Sequence, residues 1–232
     1  MSKLGYLVLA DGSVYEGDAF GADVSKSVGE VVFTTSMTGY QEMLTDPSFA
    51  GQIVVPTFPL IGNYGISVQA VESSRIQVAG FVVRSWSDSP SHGLSKQSID
   101  EYLASQGIAG LSGVDTRALT RKLRNHGVMM GILTHAASSK EAFAQLNEVP
   151  NYGTTDLVNQ VSTVETYQWR DSPHDLYGQT PDQEMPCIAV TDYGVKYNVM
   201  RILERRGCKV LTVPAKISAE ELLALHPDGV VF

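Results

Sequence analysis

The chain has 232 residues, enough for one large domain or two ordinary ones, and its 43% hydrophobic and 18% charged residues describe a sequence that can bury a core. With 25 acidic against 17 basic residues it carries a net charge of -8, which argues against a protein that tracks nucleic-acid phosphates and points to small molecules or proteins as partners. No apolar run is long enough to cross a bilayer, the first residues lack the pattern of a secretory signal, and two cysteines make no disulfide framework, so a cytoplasmic protein is expected.

The stretch YLVLADGSVYEGDAFG sets Asp11-Gly12 between two alternating apolar runs, a strong hairpin signal. GEVVFTTSM, GQIVVPTFP and IQVAGFVVRSW are further strand candidates, each bounded by Gly, Pro or Ser. Residues 34–52, TTSMTGYQEMLTDPSFAGQ, are the most unusual segment. Their hydroxyls, Gly39 and the Asp46-Pro47-Ser48 turn suit a structured loop that presents donors to a polar ligand; on physics alone they also suit a capped turn between two strands.

Two helices are expected next. One follows Ser98, with Glu101 reaching back to it, Ile99, Tyr102 and Leu103 as the apolar face, and Gly107 as the stop. The other is DTRALTRKLRNHG, capped by Asp115 and stopped at Gly127. Ala118, Leu119 and Leu123 form its apolar face, while Arg117, Arg121 and Arg124, at i, i+4 and i+7, share the opposite one.

From Asn151 to Pro186 the sequence turns polar and is punctuated by Pro173, Pro181 and Pro186, which reads as a linker. Beyond it, CIAVTDYG, VKYNVMRILERRG, CKVLTVP, SAEELLALH and DGVVF read as strand, helix, strand, helix, strand, with Ser218 and Glu221 boxing the second helix. The expected fold class is therefore α/β: a strand-rich α/β domain over residues 1–150, a linker over 151–186, and the βαβαβ opening of a parallel sheet over 187–232.

No catalytic constellation stands out. The turn TDYGVKYN has one glycine and neither dinucleotide-binding nor P-loop spacing. Cys187 and Cys208 each begin a predicted strand, away from the end where parallel sheets bind ligands, and read as structural thiols. The histidines at 92, 126, 135, 174 and 226 show no metal-ligand spacing; His126 reads as a helix-end residue, and no metal site is expected.

Three long segments, GEVVFTTSMTGYQEMLTDPSFAGQIVVPTFPLIGNYG, GLSGVDTRALTRKLRNHG and DYGVKYNVMRILERRGCKVLTVPA, resemble the small, glutamine-hydrolysing subunit of carbamoyl-phosphate synthase in order and spacing. The resemblance runs from the hairpin at residue 7 to Phe232. It implies that residues 187–232 open a class I glutamine amidotransferase domain whose glycine loop, catalytic Cys, His and Glu follow Phe232, so that the chain is truncated before them and is inactive alone. The intact subunit would release ammonia from L-glutamine and pass it, within a heterodimer, to a large subunit. That partner would hold ATP and magnesium and make carbamoyl phosphate for arginine and pyrimidine biosynthesis; no cofactor is expected in this chain. One glutamine contact carries over, Ser48 in TDPSF, and Lys196 in DYGVKYN matches a motif position of less defined role. The face of Arg117, Arg121 and Arg124 is expected either to meet an acidic surface of the partner or to be a solvated helix face. The competing reading is a non-catalytic short form that only docks on the large subunit.

Overall fold

The computed structural model describes residues 3–150, 152–170 and 185–232. The chain divides into two compact units, Met1–Thr155 and Asp156–Phe232.

In the first unit the expected hairpin forms: β1 (Leu4–Leu9) and β2 (Val14–Gly21) pair antiparallel, and Asp11 Oδ1 accepts the Ser13 N–H at 3.0 Å inside the turn. β3 (Ser27–Thr34) is followed by α1 (Tyr40–Thr45), a 3-10 turn (Pro47–Phe49) and β4 (Gln52–Pro56). Next come β5 (Leu60–Ile61), β6 (Gly80–Val82), β7 (Ser85–Trp86), α2 (Ile99–Ser105) and β8 (Ala109–Ser112). The barrel domain continues with α3 (Thr116–His126), β9 (Met129–Thr134) and α4 (Ser139–Leu146).

Strands β1-β2-β8-β6-β4-β3-β9 close into a barrel in that order, which leaves no free sheet edge. Strand alternation sorts the side chains. Leu7, Leu9, Ile53, Val55, Val82, Leu111 and Leu133 share one core, whereas the intervening Val8 and Ile132 pack with Ala142 and Leu146 of α4. Val54 and Phe81 pack on the face covered by Ile99, Tyr102 and Leu103 of α2. Leu119 and Leu123 of α3 belong to the Leu7–Leu133 core, so α3 seals that interior.

The capping of both expected helices is present: Ser98 and Glu101 exchange the two bonds of a capping box, and Asp115 Oδ1 accepts the Ala118 N–H at 2.9 Å. The apolar face of α3 differs in one residue, because Leu119 and Leu123 are buried with Thr116, while Ala118 is exposed. Strands β8 and β9 and helices α1 and α4 add to the sequence reading; α4 carries a third capping box, Ser138 with Glu141.

A second 3-10 turn (Tyr152–Thr154) belongs to the first unit, where the Tyr152 hydroxyl donates to the Ala50 carbonyl at 2.7 Å. The second unit contains α5 (Val158–Val161), β10 (Tyr167–Gln168), β11 (Cys187–Asp192) and α6 (Tyr197–Arg205). It ends with β12 (Lys209–Pro214), α7 (Ala219–Ala224) and β13 (Gly229–Val231). Its sheet has the order β10-β12-β11-β13: β11 pairs parallel with both β12 and β13, the βαβαβ arrangement read from the sequence, and β10 adds an antiparallel edge.

Adjacent residues of β11 face opposite ways. Ala189 packs with Val213 and Leu222 of α7, and Val190 packs with Val210 and Met200 of α6, so one helix covers each face. Residues 167–169 fall in the span read as a linker yet are built into this unit: Tyr167 pairs with Thr212, and the Trp169 indole, in the Val190 core, donates to Glu204 Oε2 at 3.2 Å. Pro173, His174 and Pro181 lie outside the described residues. Among the described residues no helix is long and apolar enough to cross a membrane.

Candidate functional site

Ser48 sits in the middle of the 3-10 turn between α1 and β4. The turn forms because Asp46 caps it and Pro47 supplies a fixed φ at its first position: Asp46 Oδ1 accepts the Ser48 N–H at 2.9 Å, and the Phe49 N–H donates to the Asp46 carbonyl at 3.0 Å. Asp46 is 7% exposed, whereas Ser48 is exposed at the surface. Its hydroxyl makes no hydrogen bond among the described residues, so both its donor and its acceptor capacity are free.

The support behind the turn is rigid. Gly39 starts α1 at φ 83, a left-handed conformation that favours glycine, and its N–H and that of Tyr40 both donate to the Tyr64 hydroxyl, at 2.8 and 3.1 Å. The Tyr40 and Tyr64 rings stack at 4.1 Å, and the Tyr40 hydroxyl donates to the Gly65 carbonyl at 2.7 Å. Burial pushes the Tyr40 phenol well above its ordinary value, so it remains a donor throughout the physiological range. Gln41, 1% exposed, bonds Ser67 in both directions, and Thr45 accepts the Glu72 N–H at 2.9 Å. Residues 34–52 thus form a capped turn between strands, braced from behind, with the Ser48 hydroxyl exposed and unbonded. The bracing residues Tyr64, Ser67 and Glu72 lie 24 to 27 positions downstream of the residues they hold, and no local pattern links them to the turn.

Lys196 is the N-cap residue of α6, exposed, in the second unit. The turn before it is organised by Asp192, whose Oδ1 accepts the Gly194 and Val195 N–H groups at 3.0 and 2.9 Å, while its Oδ2 accepts the Thr163 N–H at 2.7 Å. Gly194 adopts φ 98, which excludes side chains with a Cβ without strain. Lys196 therefore stands on a fixed turn at the carboxyl end of β11, where parallel sheets receive ligands.

The remaining candidates occupy structural positions. Cys187 begins β11 and Cys208 precedes β12, both at the strand ends opposite the Asp192 turn, and both thiols are free. His126 Nδ1 lies 3.1 Å from the Lys122 carbonyl at the end of α3. His135 is buried with Nε2 3.0 Å from the Gly110 carbonyl, and desolvation lowers its pKa. No group of His, Cys, Asp or Glu among the described residues could hold a metal ion.

The family profile described as carbamoyl-phosphate synthase small chain, CPSase domain, matches residues 7–133. A protein of Vibrio parahaemolyticus named carbamoyl phosphate synthase small chain is 47% identical over 99% of this chain and 62% of its own length. Proteins of the same name from Pseudomonas aeruginosa and a Nostoc species are each 45% identical, over 99% and 97% of this chain and 62% and 59% of their own lengths. The chain thus spans about three fifths of the length of the curated relatives it matches.

Proposed function

The chain belongs to the carbamoyl-phosphate synthase small-chain family, and from that premise we propose that it works as part of a glutamine-hydrolysing subunit that delivers ammonia to a large subunit for carbamoyl-phosphate synthesis in the cytoplasm. In this reading the chain contributes no nucleophile and no cofactor site; ATP and magnesium belong to the large subunit. Its contribution is the wall of the glutamine pocket that carries Ser48, while the Asp192 turn with Lys196 belongs to the amidotransferase sheet.

The observation that supports the reading is the exposed, unbonded hydroxyl of Ser48 on a turn held by Asp46. A fixed hydroxyl binds a polar substrate without first losing rotational freedom of the loop beneath it. Glutamine offers an α-carboxylate, an α-ammonium and a side-chain amide, each able to pair with a hydroxyl.

A neutral hydrogen bond is worth about 0.5–1.5 kcal/mol and one to a charged group more. Ser48→Ala, assayed in the subunit with its partner, is therefore expected to raise the KM for glutamine roughly 3- to 10-fold. Synthesis from free ammonia should be unaffected, since ammonia bypasses the pocket. Equal impairment of both reactions, or of neither, would make Ser48 a turn residue only.

A further inference from the structure

Helix α3 has a polar side that the reading above does not use. Arg117, Arg121 and Arg124 line a recess of about 470 Å³ together with Thr35, Thr57 and Thr120. Among the described residues none of the three guanidinium groups has an ion pair or hydrogen bond. It is not a general property of the helix, because Lys122, next to Arg121, is paired with Asp11 and donates to Ser13 Oγ at 2.6 Å.

The threonines complete the lining. At ~100° per residue, Thr120 falls at the seam between the arginine face and the buried stripe of Thr116, Leu119 and Leu123. Its Oγ1 is buried and has no hydrogen-bond partner, an arrangement that costs free energy unless something else supplies an acceptor or donor. Thr35 and Thr57 follow the carboxyl ends of the parallel strands β3 and β4, and the Thr57 N–H donates to the Thr34 carbonyl at 2.9 Å, which fixes the two loops together.

We propose that this recess is a binding site for a small, multiply charged oxyanion of the phosphate class. The guanidinium groups supply planar forks that pair two oxygens at a time, and the threonine hydroxyls supply single bonds between them. A concave, hydroxyl-lined site suits a compact tetrahedral anion better than the carboxylate side chains of another protein's surface, which approach on flexible stems. The inference is independent of the glutamine-pocket reading, since it uses neither Ser48 nor Lys196.

Isothermal titration calorimetry of the whole chain with inorganic pyrophosphate at low ionic strength tests the site. Saturable, single-site binding is expected. Arg121→Ala should weaken it by about 10- to 100-fold, and Arg121→Lys by less, since the charge remains while the fork is lost. Thr57→Val should weaken it roughly 2- to 10-fold. Lys26→Ala, an exposed cation elsewhere on the same unit, should leave it unchanged. Circular dichroism confirms that each variant is folded, and the lysine variant decides the matter if the alanine variant is not. Absence of saturable binding to about 10 mM, or an equal loss in Lys26→Ala, overturns the proposal. So does a result in which pyrophosphate fails to bind while Arg121→Glu abolishes association with a large subunit, which would make the arginines a docking surface.

Discussion

Single residues tie distant parts of the first unit together, and the Lys122 contact with Asp11 is the clearest case. Lys122 reaches from α3 to the turn between β1 and β2, where it meets Asp11 and Ser13. The hydrogen bond from Lys122 holds the Asp11 carboxyl at about 2, below its ordinary 3.8. A carboxyl whose pKa is lowered on folding contributes stability above its unfolded value, and that contribution disappears as pH falls through the folded one. Lys122→Ala should thus lower the melting temperature at pH 5 by about 1–4 °C, since both side chains remain partly open to screening solvent. The difference from the parent should shrink as pH falls towards 2 and vanish only below it, once the carboxyl is protonated in the folded state as well. A gap that persists there would mean that Lys122 acts through packing of its methylenes and not through the carboxylate.

Helix α3 shows how one element serves two purposes. Asp115 starts it and Gly127 ends it, both legible in the sequence, and its wheel places leucines and arginines on different sides. Leu119 and Leu123 are 0% and 2% exposed in the barrel core. Leu119→Ala should cost about 2–5 kcal/mol through lost burial and a residual cavity, visible as a fall of roughly 5–15 °C in the melting temperature. A shift under about 2 °C would show that α3 does not seal the barrel. The arginine face needed no tertiary information to be noticed. Its meaning did, because Thr35 and Thr57 come from two strand ends some sixty residues or more upstream of Arg117 and Arg121.

At the scale of the molecule, chain direction decides what the two cysteines can do. All three βαβαβ strands run the same way, so Cys187 and Cys208 share the amino-terminal end of the sheet and the Asp192–Lys196 turn lies at the other. Ligand sites in parallel sheets form at the carboxyl ends, where helix N-termini and loops converge. Cys187→Ser and Cys208→Ser are therefore expected to leave glutamine turnover by the subunit and its partner within about twofold of the parent. Loss of thiol-dependent turnover in either variant would require a different nucleophile from the one inferred.

The sequence alone determined whatever rests on interactions between near neighbours. The Asp11-Gly12 turn, the capping boxes at Ser98 and Ser218, the Asp115 cap and the βαβαβ order each depend on residues a few positions apart, and each is present in the fold. The same rule could have found α4 from Ser138 and Glu141. The resemblance carried by three long segments named the family, and in TDPSF it marked Ser48. Tertiary structure decided the rest. Parallel pairing of β3 with β4, β4 with β6 and β6 with β8 joins strands separated by α1, by long irregular stretches or by α2. Such pairing is chosen by which faces can be buried together, and no short window of sequence contains that information. The bracing of Ser48 by Tyr64, the burial of Leu119 with exposure of Ala118, and the gathering of Thr35, Thr57 and Thr120 around three arginines all follow from closing that barrel.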